Sequence, residues 1–229
     1  MALFFGSLSA AALPFVAASA ALEVAYFVLL ARAYRGGKLG VVYPVARGLA
    51  PVLVLAAGVF GLGKGVSVLG VVGVLLVAVG VFFASSDRSW VQETHYVTLL
   101  RRDVLFGLAI GVTIAGYTLV DSEGLDHADP LPYLFLIAAV TAVAYNGGLL
   151  VTGKRPALEK RALLTAAATF GAYAMVLAAL ELAPPAPVAA VRESSIVIAA
   201  LMAWLFLGEE RRLGAAALVA AGVGAIAYS

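Results

Sequence analysis

Cysteine is absent from this 229-residue chain, and charged side chains are scarce, at 12% of the residues. Without cysteine, neither a disulfide framework nor a thiolate metal site can form. A soluble domain carries about 25% charged and about 45–50% apolar residues, whereas this chain is 63% hydrophobic with a mean hydropathy of +1.04. This balance excludes a soluble enzyme and intrinsic disorder. The composition is that of an integral membrane protein.

Eight apolar segments are each long enough to cross a bilayer, which requires about 17–25 residues. Their predicted bounds are 11–31, 40–61, 65–84, 104–123, 131–152, 163–183, 187–207 and 212–228. Glycine-rich, proline-rich or charged stretches separate them. Because a lone strand leaves backbone groups unpaired in hydrocarbon, these spans must be helical. The sequence therefore predicts an all-α polytopic membrane bundle with eight transmembrane helices.

Lysine and arginine are distributed unevenly among the connections. Nearly all of them lie in four alternate loops, 32–39, 86–103, 153–162 and 208–212, while the opposite set, including both termini, contains only Lys64. Cytoplasmic loops retain Lys and Arg. The first set is therefore expected to face the cytoplasm, and with eight crossings both termini are expected outside.

Two stretches of the chain resemble one another: residues 41–62, VVYPVARGLAPVLVLAAGVFGL, and residues 186–207, APVAAVRESSIVIAALMAWLFL. Each carries an arginine about two turns into its span, Arg47 and Arg192, and each ends at a Leu-Gly pair. The two stretches lie in the second and the seventh predicted span, which are an odd number of crossings apart. The copies are therefore expected to have opposite orientations in the bilayer. Inverted repeats of this kind build many secondary transporters, although two Ala/Val/Leu/Gly-rich helices can also match through composition alone.

The hydrophilic stretch 86–103 divides the chain into a first repeat of three helices, 1–85, and a second of five helices, 104–229. The counterparts of spans 104–123 and 131–152 would fall before Met1. Either the protein lacks this helix pair, or the chain begins at an internal methionine. The second alternative is favoured, because residues 1–10 are typical of a loop between spans.

These residues resemble the drug/metabolite transporter superfamily, specifically its EamA-type members. The matching stretches are Tyr43–Gly48 with Pro51, Arg192–Ser195 running into Leu207-Gly208-Glu209, and Tyr117–Asp121. The resemblance implies a ten-helix, two-repeat exporter or importer of small metabolites with cytoplasmic termini. The chain departs from that pattern because it lacks the first two helices and because its loop charges favour external termini.

Arg47 and Arg192 are the sharpest candidates for the substrate pathway. A charge inside a span costs roughly 2.5–3.5 kcal/mol on insertion scales, so it usually faces a cavity or a partner. These arginines would then bind anionic or carbonyl groups of the substrate. Alternatively, each lies shallow enough to extend along its own stem to the interface. Pro44 and Pro51 predict a bent or interrupted second helix, where such transporters often place a site.

Glu23, near the middle of the first span, is the candidate for proton coupling, because desolvation favours the neutral form of a carboxyl group. It could instead be a hydrogen-bonded structural residue or pair with Arg47. Asp121, at a helix end, is expected to be a solvated cap. Polar-tipped residues within the spans could line the pathway or simply pack: Tyr26, Tyr43, Tyr117, Tyr145, Asn146 and Tyr173.

The sequence contains no HExxH, Cys/His, Walker A or Gly-x-Ser-x-Gly pattern, so no enzyme, cofactor or metal is expected. We predict a secondary transporter of a small metabolite or drug-like solute, working by alternating access in the bacterial cell membrane. Its expected partners are lipid, the solute and protons, without nucleic acid. A homodimer stays open, but Gly107 and Gly111 are interpreted as bundle packing. The alternatives are a non-transporting fragment or scaffold and, less favoured, a membrane-embedded enzyme.

Overall fold

The computed structural model describes residues 6–36, 39–60, 67–85, 97–153, 159–195, 197–198, 201–202, 205 and 213–228. Most of these residues are helical, and they form no strand. After a short 3₁₀ turn at Ala10–Ala12, their α-helices are α1 (Leu13–Gly36), α2 (Leu39–Phe60), α3 (Val68–Ser85), α4 (Val97–Gly124), α5 (Pro130–Val151), α6 (Lys160–Leu182), α7 (Pro185–Arg192) and α8 (Leu213–Ala227). The all-α prediction is confirmed for this part of the chain.

Several of these helices are suited to a membrane. Four stretches are long and apolar enough to cross one: Ala10–Ala33, Arg102–Gly124, Pro130–Val151 and Lys160–Leu182. Three shorter apolar helices cover Val45–Phe60, Val68–Phe83 and Gly214–Ala227. Every predicted span except the seventh therefore coincides with an apolar helix, while the full set of eight crossings remains a prediction.

The chain forms two compact units. Unit 1 contains Met1–Ala25 and Tyr117–Ala183, and unit 2 contains Tyr26–Gly116 and Pro184–Ser229. The boundary falls within α1 and within α4, so each unit combines segments from both predicted repeats. Residues 97–103, predicted as part of the connecting loop, belong to α4, whereas 86–96 lie outside the described residues.

Unit 2 is built around α3, which packs against α8 and α2, while α2 also packs against α7. Its core is rich in valine, and Val54, Val74, Val77, Val81 and Val219 are completely buried. The α3–α8 contact depends on glycine: a methyl group at Gly73 would lie 2.7 Å from the Gly222 carbonyl oxygen. Small residues let helix backbones approach this closely in membrane bundles.

Unit 1 joins α5 and α6 to the first part of α1 and the last turns of α4. The Phe135 and Phe170 rings lie 5.0 Å apart across α5 and α6. Residues 6–9, before the 3₁₀ turn, are not helical. Ser9 donates its N–H to the His127 carbonyl at 3.0 Å, beside a bridge that pairs Leu8 with Ala128. Main-chain hydrogen bonding thus connects the segment before α1 to the turn between α4 and α5.

Candidate functional site

Arg47 and Glu193 form a buried ion pair in unit 2. Nη1 of Arg47 donates to both carboxylate oxygens of Glu193, at 3.0 Å from Oε1 and 2.9 Å from Oε2. The Glu193 side chain is completely buried, and that of Arg47 is 29% exposed. Hydrogen bonds between ionised groups are roughly twice as strong as neutral ones. The pair therefore fastens α2 to the chain that follows α7.

The ion pair lies at an interruption of the predicted seventh span. Helix α7 ends at Arg192, and the next two N–H groups bond three residues back. Glu193 donates to the Ala190 carbonyl at 3.0 Å, and Ser194 to the Val191 carbonyl at 2.9 Å, as in a tightened 3₁₀ turn. Helical backbone resumes immediately afterwards. The carboxylate thus stands where the helix is broken rather than within a regular helix.

Helix α2 is continuous from Leu39 to Phe60, although it contains Pro44 and Pro51. The sequence had favoured a bend or a break in this helix. The described residues instead show a break directly after α7, which packs against α2 in the same unit. The charged pair accordingly joins one continuous helix to one interrupted helix.

Arg192 and Tyr43 complete the surroundings of this pair. Nε of Arg192 lies 3.7 Å from Oε1 of Glu193, so two guanidinium groups act on one carboxylate. The guanidinium carbon of Arg47 lies 5.3 Å from the centre of the Tyr43 ring, within the range of about 6 Å for a cation–π contact. Three of the predicted pathway residues, Arg47, Arg192 and Tyr43, are therefore brought together beside Glu193.

Asp121 forms a second polar cluster, in unit 1. It is only 1% exposed. The hydroxyl of Tyr133 on α5 donates to its Oδ1 at 3.2 Å, and the hydroxyl of Tyr173 on α6 donates to its Oδ2. The Tyr117 ring packs edge-on against Tyr173 at 5.9 Å. The expectation that Asp121 is a solvated cap is wrong, because tyrosines from two other helices cover the end of α4.

Glu23, on α1, belongs to the same cluster. Its Oε2 accepts a hydrogen bond of 3.0 Å from the hydroxyl of Thr141 on α5, and the negative charge of Asp121 acts on it. Of the two structural alternatives for Glu23, this geometry matches the hydrogen-bonded residue, since Arg47 is paired with Glu193. The carboxyl groups of Glu23 and Asp121 thus belong to the same polar cluster in unit 1.

Replacing Tyr133 with phenylalanine should destabilise the protein by about 1.5–3 kcal/mol, because a buried carboxylate loses a hydrogen bond. The substitution removes one oxygen and leaves the ring, which is completely buried, in place. Thermal unfolding of the purified protein in detergent measures the change. Tyr228→Phe is the matched control, since Tyr228 is 89% exposed, and an equal loss in both variants would contradict the assigned hydrogen bond.

The other predicted pathway residues make contacts of their own, and Tyr26 also acts electrostatically on Arg47. Tyr26 packs edge-to-face against Phe27 at 5.3 Å in unit 2. In unit 1, Tyr145 is half-buried on α5, and Asn146 donates from Nδ2 to the Ala142 carbonyl at 2.7 Å. The Asn146 amide therefore bonds to its own helix. A role in the pathway stays a prediction for all three.

Gly107 and Gly111 serve packing inside unit 2. A methyl group at Gly107 would lie 3.0 Å from the Val42 carbonyl oxygen, and one at Gly111 would lie 3.1 Å from that of Ala46. Both glycines thus allow α4 to approach the backbone of α2. This is the bundle packing that the sequence predicted for the pair.

The helical architecture, the apolar spans and the charges buried among them define an integral membrane protein of several helices. Residues 101–229 match the model of the EamA-like transporter family, and the chain belongs to that family. This confirms the resemblance to the EamA-type drug/metabolite transporters that the sequence motifs indicated. No curated protein matches the chain.

Two residues of these clusters were not identified from the sequence as partners. The sequence indicated Glu193 only as part of the motif Arg192–Ser195, and it gave no role to Tyr133. A usable signal existed for Glu193, since a carboxylate inside a span is expected to pair with a base from a neighbouring helix. For Tyr133, its place near the beginning of α5 predicted nothing about Asp121.

Proposed function

We propose that this protein is a secondary transporter that moves a small polar or amphipathic metabolite across the bacterial cell membrane by alternating access. Its family membership supports the transporter class. The observation that supports the site is the ion pair between Arg47 and Glu193, next to the break after α7. Charges inside membrane spans commonly mark solute pathways, and interrupted helices commonly form transporter binding sites.

The ion pair can exchange its partners with a solute. Glu193 engages Nη1 of Arg47, whereas a guanidinium group has five N–H donors. A carboxylate or carbonyl oxygen of the solute can therefore bind Arg47 while Glu193 turns towards Arg192, whose Nε is already 3.7 Å away. Such an exchange keeps each buried charge neutralised, which avoids the large cost of an unpaired one.

A proton gradient is the proposed energy source, with Glu23 as the proton carrier. Ionisable residues within membrane segments frequently form the proton relays of transporters. Glu23 is held by a single hydroxyl donor, Thr141, so protonation disturbs one hydrogen bond. Protons would thereby be coupled to solute movement through unit 1.

Counterflow in proteoliposomes, with a panel of small metabolites, tests this function. Purified protein should accelerate the exchange of at least one solute class, and Arg47→Lys should reduce that exchange at least about tenfold. Lysine keeps the charge beside Glu193 but loses the planar fork that binds oxygens in pairs. Arg192→Leu should also abolish exchange.

Arg35→Lys is the matched control, because Arg35 is an exposed residue in the last turn of α1. All three variants should be monodisperse and insert into liposomes. Absence of exchange for every solute on the panel would contradict the transporter proposal. Wild-type rates in both Arg47→Lys and Arg192→Leu would remove the two arginines from the pathway.

A further inference from the structure

Residues 6–9 and residues 127–129 form an antiparallel pairing in unit 1, which we call the clasp. The Asp129 N–H donates to the Ser7 carbonyl at 2.9 Å. The Asp129 carboxylate in turn accepts from the Ser7 N–H and, at 3.3 Å, from the Ser7 hydroxyl. A methyl group at Gly6 would lie 2.6 Å from Cβ of Asp129. Main-chain and side-chain contacts therefore converge on the residue that precedes α5.

The beginning of α5 explains why the Asp129 carboxylate joins the clasp. An N-cap carboxylate ordinarily accepts a hydrogen bond from the second or third N–H of its own helix. Helix α5 begins with Pro130, Leu131 and Pro132, so its third position has no N–H to donate. Asp129 makes no side-chain hydrogen bond to α5. The carboxylate is thus directed to Ser7 instead of the helix that it precedes.

The clasp lies at the ends of the two helices that hold the proposed proton carrier. Helix α1 begins at Leu13 and α5 at Pro130, and the two meet again where the Thr141 hydroxyl donates to Glu23 at 3.0 Å. At about 1.5 Å per residue, this second contact lies roughly 15–20 Å along each helix from the clasp. It is therefore near the middle of a hydrocarbon layer about 30 Å thick. Separation of α1 from α5 at the clasp opens a route from the aqueous phase towards Glu23.

The hydrogen bonds of the clasp lie at the surface of the unit. Ser7, Ser9 and His127 are exposed, although Ala128 is only 7% exposed. The His127 ring lies 5.6 Å from the Phe15 ring of α1, which extends the contact by one exposed side chain. Segments with exposed backbone hydrogen bonds open locally at a lower free energy than a packed core. The clasp can therefore release while α1 and α5 stay helical.

We propose that the clasp is a gate on the route from the aqueous phase to Glu23. When it is paired, it holds the ends of α1 and α5 together, and when it is released, the ends can separate. This role rests on the proposed transport function, in which Glu23 carries the proton. Alternating access requires that the route to a central site be gated from each side. The clasp lies at the end opposite the basic loops in the predicted topology, so it controls access from outside the cell.

A disulfide bond across the clasp tests the gate, and the absence of cysteine from the chain means that only introduced thiols react. Leu8 and Ala128 are the opposed pair and lie between the hydrogen bonds of the clasp, where Cα atoms are about 4.5 Å apart. A disulfide can bridge this distance. Oxidation of the double variant Leu8→Cys, Ala128→Cys in proteoliposomes should lower counterflow at least about tenfold, because a locked gate stops the cycle. Reduction should restore the wild-type rate.

The reduced double variant is the control for folding, because it is the same polypeptide without the cross-link. Leu8→Cys alone, treated with the same oxidant, controls for oxidation elsewhere and should exchange like wild type. The gate is overturned if no disulfide forms, since the pairing is then absent. It is also overturned if the cross-linked protein exchanges at the rate of the reduced protein, since the clasp is then a static connection.

Thiol labelling of the purified protein in detergent detects opening without any solute. Ala128→Cys should react with a maleimide more slowly than Leu8→Cys, because Ala128 is 7% exposed and Leu8 is 39% exposed. Adding Asp129→Ala removes the carboxylate that holds Ser7, and should raise labelling at position 128 about tenfold, equivalent to about 1.4 kcal/mol. Asp126→Ala, at an exposed position in the same turn, is the matched control and should leave the rate unchanged.

Equal labelling at position 128 in the Asp129→Ala and Asp126→Ala backgrounds would also overturn the gate, because the clasp would then not protect this position. Labelling in the expected pattern, but without counterflow of any solute, would leave the opening of the clasp standing and remove the transport proposal. Counterflow that persists after cross-linking would do the reverse.

Discussion

Replacing Arg47 with leucine is expected to lower the free energy of unfolding by about 3–5 kcal/mol. The loss arises because Glu193, which is completely buried, keeps its charge without the partner that now binds both its oxygens. Arg192 offsets only part of this loss, because its Nε lies 3.7 Å from one carboxylate oxygen, whereas Arg47 binds both oxygens at hydrogen-bond distance. Unfolding of the purified protein in mixed micelles, followed by circular dichroism, measures the change.

The double variant Arg47→Leu, Glu193→Leu separates stability from transport. Replacing both members of a buried pair by apolar residues is often neutral or stabilising, so most of the lost stability should return while solute exchange stays absent. Arg161→Leu, which removes an exposed charge at the beginning of α6, is the control. A loss in Arg47→Leu below about 1 kcal/mol is typical of a solvated surface pair and would contradict the buried ion pair.

Gly222→Ala and Gly224→Ala are expected to have opposite effects, although the two positions lie on the same helix. A methyl group at Gly222 would come within 2.6 Å of the Gly73 carbonyl oxygen, whereas at Gly224 nothing lies within 4 Å. Overpacking against main-chain atoms costs typically about 1–3 kcal/mol. Alanine in an open helical position gains up to about 1 kcal/mol over glycine.

Thermal unfolding of both glycine variants, in the same detergent as wild type, is the measurement. Gly224→Ala is the internal control, because it makes the same chemical change two residues away. Equal unfolding temperatures for the two variants would show that α3 and α8 do not meet at Gly73 and Gly222. A fall in Gly222→Ala alone supports the close backbone contact.

The long spans were predictable because their signal is local. A run of about 20 apolar residues is sufficient to predict a membrane helix, whatever it packs against. The prediction 131–152 accordingly differs from α5, Pro130–Val151, by one residue at each end, and 163–183 differs from α6, Lys160–Leu182, by one residue at its C-terminal end. Motifs such as Tyr43–Gly48 also indicated the family that residues 101–229 match.

The break after α7 was not predictable in the same way. The stretch from Val188 to Leu207 contains neither glycine nor proline, which are the residues that locally signal an interruption. The turn at Glu193 instead accompanies an ion pair with Arg47, a residue 146 positions earlier in the chain. Local sequence carries no information about a partner that distant.

The burial of Asp121 in unit 1 was likewise not predictable from local sequence. Its position near the end of a helix was readable from the sequence, but its burial depends on Tyr133 and Tyr173, which lie 12 and 52 residues further along the chain. Whether a carboxyl group at a helix end meets water or tyrosine is decided by helix packing. The candidate site therefore required the structure, whereas the fold class did not.

The backbone contact at Gly73 and Gly222 also limits how this bundle can move. At these two glycines main-chain atoms of the two helices approach each other directly, and main-chain atoms cannot change rotamer to absorb a displacement. Sliding or rotation of one helix against the other would force carbonyl oxygens into overlap. Helices α3 and α8 therefore move as one rigid body. Any rearrangement that opens the protein to one side of the membrane has to move both helices together.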